Sequence, residues 1–454
     1  MAFLEDLIKA KSSDEQYLNR VHDYMQGNHP MPWIPSKLQD QFRAVAKRAK
    51  TNYMPKVVGS IAENLSVVGY REPRSGSESP AWKHWRNNDM SDQQDMVHRA
   101  ALAFGASYVL VLPGENGPVV QAFSPLEMTA VYNRRTDRYP KVAGFRRDLN
   151  QGGMGGAAGY GEQIVEWTVL DADNVTVYQG PADAGAEDYK QVSSVAHGMG
   201  IVPVVRFVNQ MPYTDKERPV SEVEPLFDIQ ERITDITMDA LTAGRYSAYR
   251  QKWIMGVKLD DAELDMSPAS VLAFEAQDGE AEAKIGEFAQ TTMDGYLKMK
   301  EDAVTDLAVL ASLPLRELAP DVQNVSSEAI KAVDKGQRLK VQDRKRSFGE
   351  AWIRVLRLAD LASGNYAAFD ESDKSDVVWL DPDQDALTVN VAQALLNLAQ
   401  VGCPPELMPE LIPGLTQEQV DTWKVHARSD RVREKAVTDR MFQNPDQSLM
   451  EEAA

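Results

Sequence analysis

The chain has 454 residues, 43% hydrophobic and 26% charged, a composition that supports two to four folded domains and excludes a disordered chain. Its 68 acids against 49 bases leave a formal charge of −19, so the average surface repels nucleic acid; this argues against a repressor, nuclease or polymerase, which must displace phosphate counterions. Cys403 is the sole cysteine, which excludes an internal disulfide and every cysteine-based metal cage.

Taken in chain order, residues 2–26 place Leu4, Leu7, Ile8, Leu18, Val21 and Met25 at mostly helical spacing, with Gly27 positioned to end the helix. The acids in MAFLEDLIKAKSSDEQ do not fit a secretory leader, and a cytosol-like compartment is expected. After the Pro-rich HPMPWIP, Ser36 and Gln39 form a capping-box pattern that opens a helix to about Lys50. A third helix is expected over Met54–Leu65, a short strand over Ser66–Tyr70, and a helix over SDQQDMVHRAALAFG that stops at Gly105. The runs SYVLVLP, PVVQAFSP, MTAVYN, KVAGFRRD, QIVEWTVLD and NVTVYQG, bounded by Pro and Gly, read as strands of one antiparallel meander.

The middle of the chain changes character. One more strand, GMGIVPVVRFVNQ, precedes a long helical pattern over 221–250, in which Leu226, Ile229, Ile233 and Ile236 step by three, four and three as a narrow seam. Such a helix is roughly 45 Å long. An acidic segment, 251–291, carries strand-like KWIMGV and SVLAFEA; a helix over 292–311, a two-proline loop over 312–326 and a long helix over about 326–362 follow. The final third is helical: residues 385–401 stop at Gly402, Thr416 and Gln419 cap another helix, and 441–454 read as a frayed tail. No run reaches the ~18 apolar residues of a membrane span.

Signatures of chemistry fail on inspection. The Gly-rich stretch GGMGGAAGYG (152–161) lacks the preceding strand and following helix of a phosphate cradle and reads as a hairpin tip. DPDQD (381–385) starts like a calcium loop, but Ala386 and Ala392 occupy the positions that require glycine and glutamate. The six histidines have no metal-ligand spacing, and there is neither a nucleophile elbow nor a P-loop. Neither a catalytic residue, a metal site nor a cofactor is therefore expected. Between Ser326 and Asp360 nine bases meet five acids, a local excess of +4. That helix has either a solvated face or one that packs on an acidic neighbour or faces DNA.

Four stretches, in this order, resemble the portal proteins of tailed bacteriophages, particularly the siphovirus type: YMPKVVGSIAENLSVVGYR, HGMGIVPVVRFVNQ, LPLRELAPDVQNVSSEAIKAV and VVWLDPDQDALTVNVAQALLNLAQVGCPPELM. Each is weak alone, and the ordered set spans nearly the whole chain. The resemblance implies an α+β chain that forms a ring, typically of twelve subunits, at one capsid vertex, assembled in the host cytoplasm. Mapped here it implies a wing over 1–220, stem helices over 221–250 and 292–311 around a clip over 251–291, a tunnel loop over 312–326, a return to the wing over 327–379 and a crown over 380–440. Implied partners are the terminase large subunit, head–tail adaptor proteins, the major capsid protein and double-stranded DNA passing without sequence preference.

An acidic lumen lets DNA slide, because contact releases no counterions. A narrow seam wants lateral neighbours, so Ile233→Asp is expected to yield soluble monomers in place of rings. Leu313, Leu315, Arg316, Glu317, Leu318, Asp321 and Gln323 are expected to face DNA from the tunnel loop, with Arg316 either touching phosphate or pairing with Glu317 or a neighbour's acid. The alternative function is an oligomeric adaptor or scaffold without DNA passage.

Overall fold

Apolar side chains on both faces of a strand demand a covered sheet, and residues 106–112 have them: Val109, Leu110 and Val111 are all buried. The computed structural model describes residues 1–34, 39–71, 80–149, 164–182, 184–215, 217–248, 252–255, 284–287, 292–318, 327–365, 375–380, 387–405, 407–412, 419–420, 422–429 and 431–433. The glycine-rich stretch, the DPDQD run, the SVLAFEA segment, the Ser36 and Thr416 caps and the tail at 441–454 lie outside them. Two units share the chain: Met1–Val21, Val58–Val223 and Lys335–Ala454 form the first, His22–Val57 and Glu224–Asp334 the second.

In the first unit the single meander expected from the sequence divides into two sheets. Strand β2 (Ala106–Leu112) sits at the centre of a three-stranded antiparallel sheet between β3 (Val119–Phe123) and β9 (Val204–Val208). The chain leaves this sheet after β3, and the true meander is β4 (Met128–Val131), β5 (Val142–Asp148), β6 (Ile164–Leu170), β7 (Asn174–Pro181) and β8 (Lys190–Ala196). Burial on both faces explains the split, because β2 needs a hydrogen-bonded partner at each edge and β9 returns to supply the second. Strand β8 escaped the sequence reading: KQVSSVA has two valines, both exposed, and it is held by its backbone pairing with β7 and by the Thr176–Ser194 hydroxyl contact at 3.0 Å.

Helix α1 (Ala2–Gln26) lays Leu4 and Leu7 on Val142, Val165, Trp167 and Val169 of the meander. Gly144 permits that approach, since a Cβ there would lie 2.7 Å from Leu7 Cδ1 and 2.8 Å from the Thr168 carbonyl. The opposite face of the meander, with Met128, Ala143, Phe145 and Leu170, closes on Leu110, Phe123 and Val204 of the three-stranded sheet.

Around these sheets stand α3 (Met54–Ala62) from Val58 on, the β1 (Val67–Arg71) and β12 (Asp376–Trp379) pair, α4 (Pro80–Asn87), α5 (Met90–Phe104) and the long α9 (Ser327–Ala362) from Lys335 on. Helix α5 stops at Gly105, whose φ of 89° suits glycine and where a Cβ would fall 2.3 Å from the Pro219 carbonyl oxygen. Aromatic rings pack where these elements converge. Trp85 and Phe207 meet Trp352 edge-on, with centroids 4.8 and 4.6 Å away, and His98 stacks on Phe348.

The tautomer of His98 follows from its partners. Trp352 Nε1 can only donate, so His98 Nε2 accepts at 2.9 Å and Nδ1–H donates to the Leu65 carbonyl at 3.0 Å. Burial pushes the pKa of this imidazole down to about 4, outweighing the hydrogen bond to Leu65, which favours the charged form.

The second unit is mainly helical, with α2 (Gln39–Ala49), α6 (Phe227–Ala248), α7 (Asp294–Ala311) and the end of α1. Phe227 stacks on Tyr24 at 3.8 Å, and Met238 packs on Ala46 and Ala49. Thr234 Oγ1 donates to the Gln230 carbonyl, so it accepts from His29 Nε2, leaving buried His29 Nδ1 without a partner among the described residues. Burial and the Lys50 charge lower the His29 pKa.

A folded-state pKa below the unfolded value means that stability is full above the unfolded pKa and falls as pH drops through the window. For His98 that window runs from 6.5 down to about 4. The loss over it is roughly 3 kcal/mol. Urea denaturation across this range should show wild type losing more stability than His98→Gln; equal pH slopes would refute a neutral buried imidazole.

Candidate functional site

Residues 221–250 do not form one helix. Ser221 Oγ donates to the Ala103 carbonyl at 2.6 Å, and the Glu222 amide donates to the Leu102 carbonyl at 3.0 Å, so this stretch is tied down outside any helix within the first unit. A 3-10 turn over Glu224–Leu226 follows, and α6 starts at Phe227. Its 22 residues make it roughly 33 Å long rather than 45 Å.

Helix α7 returns antiparallel to α6. Arg232, near the start of α6, pairs with Asp306, near the end of α7, at 2.6 Å, while Gly244 lies beside Met293 at the opposite end. Between the helices the described residues include an antiparallel strand pair, β10 (Lys252–Met255) with β11 (Lys284–Glu287), which matches the strand expected at KWIMGV.

Three of the four seam residues are covered within the chain itself. Leu226, Ile233 and Ile236 are buried within the single chain, Ile233 completely, and Ile229 is half-buried. Gln230 and Thr234 are buried beside them, with Gln230 Nε2 donating to the Thr51 carbonyl and Oε1 accepting from the Tyr53 amide. A broad face with two hydrogen-bonded polar residues binds α6 to its own unit. Those three side chains are thus covered before any neighbour arrives, because the 3.6-residue period identifies a buried face but not what buries it.

The loop after α7 starts with a tight reversal. Ser312 takes φ 58°, its amide donates to the Val309 carbonyl, and the Leu313 amide donates to the Ala308 carbonyl at 2.9 Å, a Schellman-type ending. Leu313 and Pro314 turn into the unit, with Leu313 only 1% exposed, so Leu313 does not face a bore. Four of the expected loop residues, Leu315, Arg316, Glu317 and Leu318, form the short helix α8 (Leu315–Leu318). Glu317 pairs with Lys56 at 3.2 Å, and Leu318 is half-buried. Asp321, Gln323 and Pro320 lie outside the described residues.

Some of the positive charge of α9 is spent inside the first unit. Arg344 is buried, with Nη2 2.7 Å from Glu222 Oε1 and Nε donating to Asn209 Oδ1; Lys340 Nζ lies 2.6 Å from Glu222 Oε2. Burial alone would raise the Glu222 pKa, but Lys340 and Arg344 together hold it below the ordinary value. Arg346 pairs with Asp343, and Lys345 donates to the Leu380 carbonyl at 3.0 Å. Lys340 and Arg344 lie one turn apart on one helix face, a spacing visible in the sequence; Glu222 and Asn209 sit in irregular segments that carry no such signal.

No cluster of His, Cys, Asp and Glu among the described residues is arranged to hold a metal ion, and no described helix is long and apolar enough to cross a membrane. The described residues thus comprise an α+β unit and a mainly helical unit with one antiparallel strand pair, and the comparisons show the family to which they belong. The chain belongs to the phage portal protein family: the family model described as "Phage portal protein, SPP1 Gp6-like" matches residues 3–431. The portal protein of Mycobacterium phage L5 is 23% identical over 356 residues, covering 74% of this chain and 69% of the relative. That of Mycobacterium phage D29 is 23% identical over 401 residues, covering 83% and 78%. Its function is that of a phage portal, in the packaging of DNA.

Removing one partner of a buried pair strands the other charge. Arg344→Ala should cost roughly 3–5 kcal/mol in urea denaturation at neutral pH, whereas Arg346→Ala, whose side chain is exposed, should cost under about 1 kcal/mol. Equal small losses would show that the Glu222 network does not hold the first unit together. Ile233→Asp, with its carboxylate fully enclosed, should unfold the helical unit rather than release folded monomers. Loss of far-ultraviolet helical signal at 25 °C is the readout; a folded monomer would restore the seam to the subunit interface.

Proposed function

We propose that copies of this chain assemble into a ring of twelve at one capsid vertex, through which double-stranded DNA is packaged and later ejected. In this reading α6 and α7 are the stem. The residues between them, with the β10–β11 strand pair, form the clip that docks the terminase large subunit and then the head–tail adaptors. Residues 1–220 and 327–379 form the wing, next to the major capsid protein. The crown starts near residue 380, and the tunnel loop spans 312–326.

The observation that carries the reading is the antiparallel α6–α7 pair with the β10–β11 strand pair between its helices and a proline-bearing segment immediately after α7. The family match over 3–431 includes all of these elements. A chain of charge −19 suits a conduit, because acidic walls release no counterions when DNA passes. In this reading the ring has no catalysis of its own, and the packaging ATP is consumed by the separate terminase.

End-on negative-stain images of purified protein test the assembly: a ring with an open bore supports a portal, and a closed assembly supports an adaptor without DNA passage. For the loop, Arg316→Glu should leave ring formation unchanged while reducing DNA retained per particle, measured by nuclease protection of filled heads. Poor assembly combined with normal packaging in the rings that do form would make the loop an interface element.

A further inference from the structure

Two large side chains on the first unit are exposed where the surrounding backbone is firmly held. Tyr213 is 82% exposed and Met211 51% exposed, in the segment after β9. Glu217 accepts from the Tyr213 amide at 3.1 Å, and Arg135 Nη1 donates to the carbonyls of Pro212, at 3.2 Å, and of Tyr213. The Arg135 amide donates to Asp215 at 3.0 Å, and the Arg135 carbonyl accepts from Arg206 Nη2 at 2.9 Å. Arg206 in turn covers the Tyr132 ring at 3.8 Å. Solvation gives no reason to brace an exposed tyrosine and methionine from so many sides, but docking does: a side chain already ordered loses little entropy when a partner covers it.

Beside this segment, which carries Asp215 and Glu217, lies a turn that is basic in an acidic chain. Residues 132–141, the turn from β4 to β5, carry Arg134, Arg135, Arg138 and Lys141 against Asp137 alone. Arg134 and Arg138 are exposed. Arg354 of α9 feels both Arg138 and Tyr132, and no ion pair with a carboxylate of the described residues accompanies it; Glu350, one turn earlier, acts on it only at longer range. Partial burial of this guanidinium, the largest influence on it, lowers its pKa.

We propose that Tyr213 and Met211, on the segment that Arg135 of the basic β4–β5 turn holds, form with the exposed Arg134 and Arg138 of that turn a docking surface for a second copy of this chain, which presents acidic surface to it. Charge complementarity selects the occupant, since a chain with 68 acids against 49 bases carries a net negative charge to meet a basic turn. The apolar anchors favour protein over DNA, because tyrosine and methionine together with arginine is the composition of protein interface cores, while phosphate recognition uses the cations alone. This inference rests on the ring reading and names a lateral contact within it.

The test compares wild type with Met211→Ala/Tyr213→Ala and with Arg134→Glu/Arg138→Glu, by sedimentation velocity over a concentration series at low and moderate salt. Circular dichroism and thermal melts establish that each subunit remains folded; all four side chains are exposed or partly so, and none lies in a described core cluster. Both variants should need about tenfold or more protein to form rings. Wild-type assembly should weaken as salt rises, and the charge-reversed variant should lose most of that dependence. Folded variants that form rings at the wild-type concentration would overturn the proposal. Normal rings that lose bound DNA would also overturn it and assign the surface to nucleic acid. A wild type that never forms rings would sink the ring reading and this contact with it.

Discussion

A neutral imidazole holds the first unit's segments to one another. His98 accepts a hydrogen bond from α9 through Trp352 and donates one to the carbonyl of Leu65, just beyond α3, while sitting on α5 itself. Residues 65, 98 and 352 are far apart in the chain, so this one side chain records a tertiary arrangement that local propensity does not prescribe. A lysine or carboxylate there would be left charged in an apolar site; only a group with one donor and one acceptor meets both partners uncharged. His29 in the second unit solves a similar problem with its donor at Nε2, so the two buried histidines take opposite tautomers, each dictated by what its neighbour can offer.

Charge has three different uses in this chain. Glu222 with Lys340 and Arg344 is an internal tie, its desolvation cost offset by two cations and by Asn209. Arg232 with Asp306 joins the two antiparallel helices at an exposed position, where a pair contributes little energy but fixes register. The remaining acids set the electrostatic character of the exterior, a property that bears on solubility and association rather than on the fold. The excess of bases in α9 therefore divides, with Lys340 and Arg344 answering to the fold.

The portal reading places mechanical demands that the chain meets with ordinary devices. In the proposed assignment α6 belongs to a stem, which has to be stiff, and α6 is bound along a wide face to its own unit rather than by a thin stripe. The segment after α7 has a defined start, because Ser312 accepts a left-handed conformation and Leu313 is pulled inward. Any part of the loop that touches DNA must therefore lie beyond this anchored beginning.

Much of the architecture was legible in the sequence alone. The 3.6-residue period and the glycine stops placed α1, α5, α7, α9 and α10 (Leu387–Gln400), and Pro- and Gly-bounded apolar runs placed seven of the strands, because both signals are local. Net charge argued against a DNA-gripping protein for the same reason: it is a sum over residues and needs no fold. What required tertiary structure was every question of partnership. Which sheet β9 joins, why β8 and β12 are strands at all, whether Ile233 faces its own chain or another, and which of the α9 cations is already paired depend on segments separated by tens to hundreds of residues. Backbone pairing and enclosure by distant side chains leave no period in the sequence, and only the folded chain brings those groups within reach.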